Sequence, residues 1–116
     1  MINVKLIDVE NGESIILQES MLEGNECFIC QDDEEMFPHL SEITEVDIER
    51  YFSSEMEPLI SELDLLVSLT NGELEKKHLS EIKIMCKRCA ELQNGQIVFD
   101  PFVDRLVHDG KQWVKQ

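Results

Sequence analysis

Ile2, Val4 and Leu6 alternate with polar residues at the start of the chain, and Ile7 and Val9 continue the apolar content. That period of two predicts a strand over residues 1–9. Asn11-Gly12 is a strong signal for a two-residue hairpin turn, and Ile15, Ile16 and Leu17 follow within a second strand over residues 14–18. Gly24-Asn25 punctuates again, and Cys27-Phe28-Ile29-Cys30 predicts a third strand. Asp32 to Glu35 reads as a charged loop.

After Pro38 the period changes. Thr44 to Phe52 reads as a short amphipathic segment, the first helix of the series, with Ile43, Val46, Ile48, Tyr51 and Phe52 in a mixed pattern. Ser53 or Ser54 then caps a helix in which Met56, Leu59, Ile60, Leu63, Leu66 and Val67 recur at three-and-four spacing. Pro58 sits in its first turn, where the missing N–H does little harm. Asn71-Gly72 ends it. A further helix is predicted from about Glu73 to Gln93, with Leu79, Ile82, Cys86 and Cys89 on one stripe. Asn94-Gly95 stops it, and residues 96–99 read as a strand. Asp100-Pro101 has the form of an N-cap and first helical residue, opening a brief helix through Phe102, Val103, Leu106 and Val107, with Trp113 packing the tail.

The predicted order β-β-β-α-α-α-β-α implies an α+β fold. It consists of a small antiparallel sheet, an N-terminal hairpin plus one or two further strands, packed against three to four helices. The length of 116 residues suits one domain over residues 1–116.

Charge changes this picture more than composition does. From Leu6 to Glu75 there are twenty acids and one base, Arg50, a net −19, whereas Lys76 to Gln116 carries a net +3. A total of −15 keeps a chain soluble, repels nucleic acid and anionic membrane, and attracts basic proteins or metal ions. Solubility alone is served by a smaller net charge, of magnitude about 2–8 for a small domain. No apolar run approaches the roughly 20 residues of a membrane span. Residues 1–10 lack the basic, apolar and small-residue regions of a signal peptide. The expectation is a cytoplasmic protein that binds neither membrane nor nucleic acid.

The acids Asp32, Asp33, Glu34 and Glu35, with Glu42, Glu45, Asp47 and Glu49, form the candidate partner-binding surface. They lack the alternating oxygen ligands and central Gly of an EF-hand loop. Phe37 and Tyr51 flank the stretch and are the aromatic anchors expected to touch a partner, whereas Phe52 and Trp113 are expected in the core. The bland alternative is a solvated loop.

Cys27-x-x-Cys30 and Cys86-x-x-Cys89 could supply four thiolates to a tetrahedral Zn²⁺. Neither pair has the Gly or Pro that turns a knuckle around the metal, and Cys86 and Cys89 lie on an apolar helix stripe, where thiols act as small hydrophobes. Core thiols are therefore expected, with no metal and no cofactor, and a zinc-stabilised adaptor is the alternative. His39, His78 and His108 are scattered, and His78 is expected on the helix surface. No nucleophile elbow, P-loop or dinucleotide fingerprint occurs, so an enzyme is not expected.

The run Met36-Phe37-Pro38-His39-Leu40-Ser41-Glu42-Ile43, then Tyr51-Phe52, then Met56-Glu57-Pro58-Leu59-Ile60-Ser61-Glu62-Leu63 covers about a third of the chain. It resembles a pattern in bacterial immunity proteins of contact-dependent growth inhibition and related polymorphic toxin systems. The resemblance implies a cytoplasmic protein that neutralises one cognate toxin domain, often a nuclease, and it carries over no active-site residue. Charge reaches a similar expectation separately, because a nuclease cleft that holds a polyanion is basic and an acidic inhibitor complements it. A nucleic-acid mimic that represses a host enzyme obeys the same logic.

Overall fold

A computed structural model of the chain describes residues 1–102, in which four antiparallel strands pack against helices in an α+β arrangement. Strands β1 (Asn3–Glu10) and β2 (Glu13–Ser20) form the predicted hairpin. Asn11 and Gly12 both take positive φ, 53° and 81°, as a two-residue turn of the primed type demands. The chain then makes a short helix α1 (Glu26–Ile29), a 3₁₀ turn over Leu40–Glu42, strand β3 (Glu49–Phe52) and a second 3₁₀ turn over Ser53–Glu55. Helices α2 (Met56–Leu69) and α3 (Glu73–Ala90) follow, and β4 (Gly95–Asp100) inserts between β1 and β3. The sheet order is β2-β1-β4-β3, so among the described residues β2 and β3 are its edges.

The core lies between one sheet face and the paired helices. Val4 stands opposite Phe99, Leu6 opposite Ile97 and Tyr51 opposite Ile97, all facing the helices. Met56, Leu59, Leu63 and Leu66 of α2 and Leu79, Ile82, Met85, Cys86 and Cys89 of α3 fill the other side, at the spacing that reads as a helix in the sequence. The other sheet face carries Ile7 and Val98, both buried, with Ile16 and Phe52 exposed towards its two edges.

Two expectations fail in instructive ways. Cys27-Phe28-Ile29-Cys30 is helical rather than extended, because the Ile29 N–H donates to the Asn25 carbonyl and the Cys30 N–H to that of Glu26. A four-residue apolar run has no period long enough to choose between the two states. Conversely, the end of the Thr44–Phe52 segment is not helical but supplies the third strand, in which Tyr51 turns inward and Phe52 outward. That alternation reverses the assignments made for both rings. Tyr51 is 2% exposed and belongs to the core, whereas Phe52 is 49% exposed. Phe37, the other expected contact residue, is buried too. The predicted C-terminal helix beyond Phe102 and the packing of Trp113 lie outside the described residues.

Candidate functional site

Glu42, Glu45, Asp47 and Glu49 lead into β3. Asp32 to Glu35, Glu42, Glu45 and Asp47 are exposed, and Glu49 is half-buried at the start of the strand. The two stretches converge across α1. The Cys30 thiol is pushed up to about 11, first by burial and then by the charges of Glu45, Glu26 and Asp32, so carboxylates from both sides of the loop act on one point. Glu49 is raised by partial burial and then by Glu42 and Asp47. Like charges thus crowd each other here, and an arriving cation would relieve the repulsion. Among the described residues none of the eight predicted acids is held in an ion pair; the recorded pairs use Glu26, Asp100, Glu62 and Asp64 instead.

The face is ordered by polar contacts beneath it. Glu62, buried in the middle of α2, accepts hydrogen bonds from the N–H groups of His39 (2.9 Å) and Leu40 (3.0 Å) and also pairs with His39 Nδ1. A helix interior thereby caps the 3₁₀ turn that carries Glu42. The Tyr51 hydroxyl donates to the His39 carbonyl at 2.6 Å, with Glu42 Oε1 3.1 Å away. Burial, then the charge of Glu42, holds that phenol far above its ordinary range, so it stays a donor. Asp33 closes its own loop by accepting from the N–H groups of Glu35 and Met36. Thr44 does the same for the next turn, its Oγ1 accepting from Val46 and Asp47.

That last turn presents two residues to which the sequence assigns only a place in a mixed amphipathic pattern. Val46 is 69% exposed and Ile48 40%, and they alternate with Glu45, Asp47 and Glu49. Apolar side chains held out of the core between carboxylates are the ingredients of an interface centre with a charged surround. The signal was present as a Thr followed by alternating acid and aliphatic residues, but the same alternation also fits an amphipathic segment packed on the core.

The other chemistry-bearing residues are dispersed. Cys86 and Cys89 are buried in the core, and burial raises both thiols. Cys27 sits on α1 and is exposed, against the expectation of a core thiol, and Cys30 follows the last residue of α1 and is half-buried. Among the described residues no three His, Cys, Asp or Glu side chains are grouped so as to hold a metal ion. His78, expected on the surface, is buried. Its Nε2 lies 3.1 Å from Asn25 Nδ2 and its Nδ1 3.2 Å from Ser20 Oγ. One surface depression, lined by Val9, Asn11, Phe52, Ser53, Asn94 and neighbours, contains no titratable side chain. No helix among the described residues is long and apolar enough to cross a membrane.

No family model matches the chain, and neither a curated protein nor a solved structure is significantly similar to it.

Proposed function

We propose that this chain is an acidic binding protein that neutralises a basic cognate protein, a toxin domain of the nuclease kind, by forming a one-to-one complex through the face beside β3. The observation that carries the reading is the ordered turn at Thr44–Ile48, in which Val46 and Ile48 project between carboxylates that have no described cationic partner. Asp32, Glu34, Glu35, Glu42, Glu45, Asp47 and Glu49 supply the field that draws in a basic surface and speeds the encounter. The aliphatic pair supplies the apolar contact that charge alone does not. Phe37 and Tyr51 act from below: they hold the face in shape and do not touch the partner.

The expected behaviour is tight, salt-sensitive association. Burying a Val side chain contributes roughly 1.5–3 kcal/mol, and each 1.4 kcal/mol is tenfold in affinity. Val46→Asp should therefore weaken binding by at least about tenfold while leaving the fold intact, since the side chain is exposed. The test is capture from the native host with the purified protein as bait, at low and high salt, with bound proteins identified by mass. Recovery of one dominant basic protein, weakened both by salt and by Val46→Asp, supports the proposal. A blank, or a spread of basic proteins indifferent to Val46→Asp, reduces the charge to a solubility device.

A further inference from the structure

The opposite edge of the sheet carries a different surface. Strand β2 pairs with β1 on one side only, and among the described residues no strand covers its other side. It is eight residues long, and its centre exposes three consecutive apolar residues, Ile15 (43%), Ile16 (51%) and Leu17 (40%). An unpaired edge of this kind is a template for another strand. We propose that β2 is the contact between two copies of this chain, which pair antiparallel about a two-fold axis to give a continuous eight-stranded sheet.

Three observations select a second copy as the occupant. The first is the strand's own sequence. Centred between Ile16 and Leu17, self-pairing sets each Ile16 against Leu17 of the second copy and Ile15 against Gln18. Ser14 then meets Glu19, and Glu13 meets Ser20. Apolar residues occupy the middle, and no position opposes two like charges, which is the arrangement cross-strand pairing favours.

The second is where the charge lies. The acidic face stands beside β3, at the far edge of the sheet. In the paired assembly the strand order runs β3-β4-β1-β2-β2-β1-β4-β3, which puts seven inter-strand spacings of about 4.8 Å, or about 34 Å, between the two acidic edges. The screening length at physiological ionic strength is about 8 Å, so repulsion between the acidic faces is largely lost at that separation. The net charge of −15 therefore does not forbid this contact as it would forbid one through the acidic face.

The third is the side of α3 that borders the edge. Arg88, itself exposed, reaches Gln18 at 2.8 Å, so the local field beside β2 includes a cation. Against extended growth stand Glu13 and Glu19 towards the ends of β2, while the irregularity at Leu17 falls at the centre of the two-fold pairing. Edge charges of this sort limit strand pairing, and a two-fold contact uses each β2 edge once, so it closes at the dimer. The inference is independent of the proposed partner at β3, since it uses the other edge.

The experiment is the molar mass of the purified chain by light scattering, at physiological salt under reducing conditions and over a rising concentration series. The expected mass at the upper end is twice 13.5 kDa. Ile16→Lys and, separately, Leu17→Lys should return it to the single-chain value with an unchanged circular dichroism spectrum. Val46→Asp, at the far edge, should leave it doubled. Amide exchange at β2 should slow with concentration in the parent chain and not in Ile16→Lys. A parent chain that stays at 13.5 kDa overturns the proposal. So does a dimer that survives both lysine substitutions or is lost with Val46→Asp.

Discussion

Two polar clusters tie irregular chain to the helices, and they solve the same problem with opposite chemistry. At the acidic side, the buried Glu62 carboxylate of α2 gathers two backbone N–H groups and the His39 ring. At the hairpin side, the neutral side chain of Asn25 holds the N-terminal strand. Its Oδ1 accepts from the Ile2 N–H at 2.7 Å, and its Nδ2 donates to the Ile2 carbonyl at 2.7 Å and to His78 Nε2. Because the Ile2 backbone fixes which way the amide points, Nε2 of His78 must accept. Its proton then sits on Nδ1, facing Ser20 Oγ, and Ser20 can in turn donate to Glu81 Oε1 at 3.4 Å. One cluster is built around a charge and the other around a neutral imidazole. A surface already crowded with carboxylates tolerates a buried one where donors converge on it, whereas the hairpin clasp works only while His78 is unprotonated.

The sharpest break is to remove the charged hub. Glu62→Ala leaves the His39 and Leu40 N–H groups and the His39 ring without their acceptor in a buried setting. A buried polar group left unsatisfied costs about 1–3 kcal/mol, so a loss of roughly 3 kcal/mol or more is expected from chemical denaturation. Glu62→Gln keeps one carbonyl oxygen and should lose less. Asn25→Ala is the matching cut on the other side. It strips both hydrogen bonds from Ile2 and one from His78, with an expected cost of about 2–3 kcal/mol. If Asn25→Ala proves nearly silent, the clasp at Ile2 is decoration.

These hubs also mark the boundary of what the sequence discloses. The hairpin, α2, α3 and β4 follow from period and turn residues that act within a few residues of one another, and their predicted limits fall within a few residues of those observed. The expected serine cap does not form: Glu55 precedes α2 with no side-chain cap, and the Ser53 hydroxyl donates instead to the Leu92 carbonyl at 2.7 Å. The segment between Gly24 and Phe52 does not follow from such local signals, because its conformation is set by Asn25 against Ile2 and by Glu62 against His39, contacts 22 or 23 residues apart in sequence. The same remoteness explains the aromatic reversal. Tyr51 is polar enough to suit a surface, but its hydroxyl finds the His39 carbonyl, while the wholly apolar Phe52 takes the outward position of the strand. The acids were legible as a run and the segregation of charge as a count. The projecting Val46 and Ile48 were not, since an aliphatic residue carries no mark of which way its turn will face.

Acidity acts on the His78 cluster. Burial lowers the pKa of His78 from its ordinary value, with the Glu81 charge opposing the shift more weakly. The folded chain then binds fewer protons than the unfolded chain around and below the ordinary histidine value of about 6.5. The contribution of His78 to stability is thus complete above that pH and is lost as the pH falls through and below it. Denaturation midpoints should decline from pH 7 to pH 5. His78→Gln should flatten that part of the decline, at some cost in stability at neutral pH. An undiminished slope in that variant would move the acid sensitivity to other groups.

The smallest cut is the most informative about the acidic face. Tyr51→Phe removes only the hydroxyl, whose 2.6 Å bond to the His39 carbonyl fastens the 3₁₀ turn to β3, and leaves the ring against Phe99 and His39. A typical hydrogen bond contributes about 1 kcal/mol net, so the midpoint should fall by that amount with no change in cooperativity. Its effect on binding divides the possibilities more finely than its effect on stability. If Tyr51 supports the face from beneath, partner affinity should fall through faster dissociation, as the turn carrying Glu42 loosens, with association rate and salt dependence kept because every carboxylate remains. If the tyrosine instead reached the partner, the ring-retaining Tyr51→Phe would bind nearly as the parent and only Tyr51→Ala would fail. Rates measured for the two variants at two salt concentrations tell a strut from a contact.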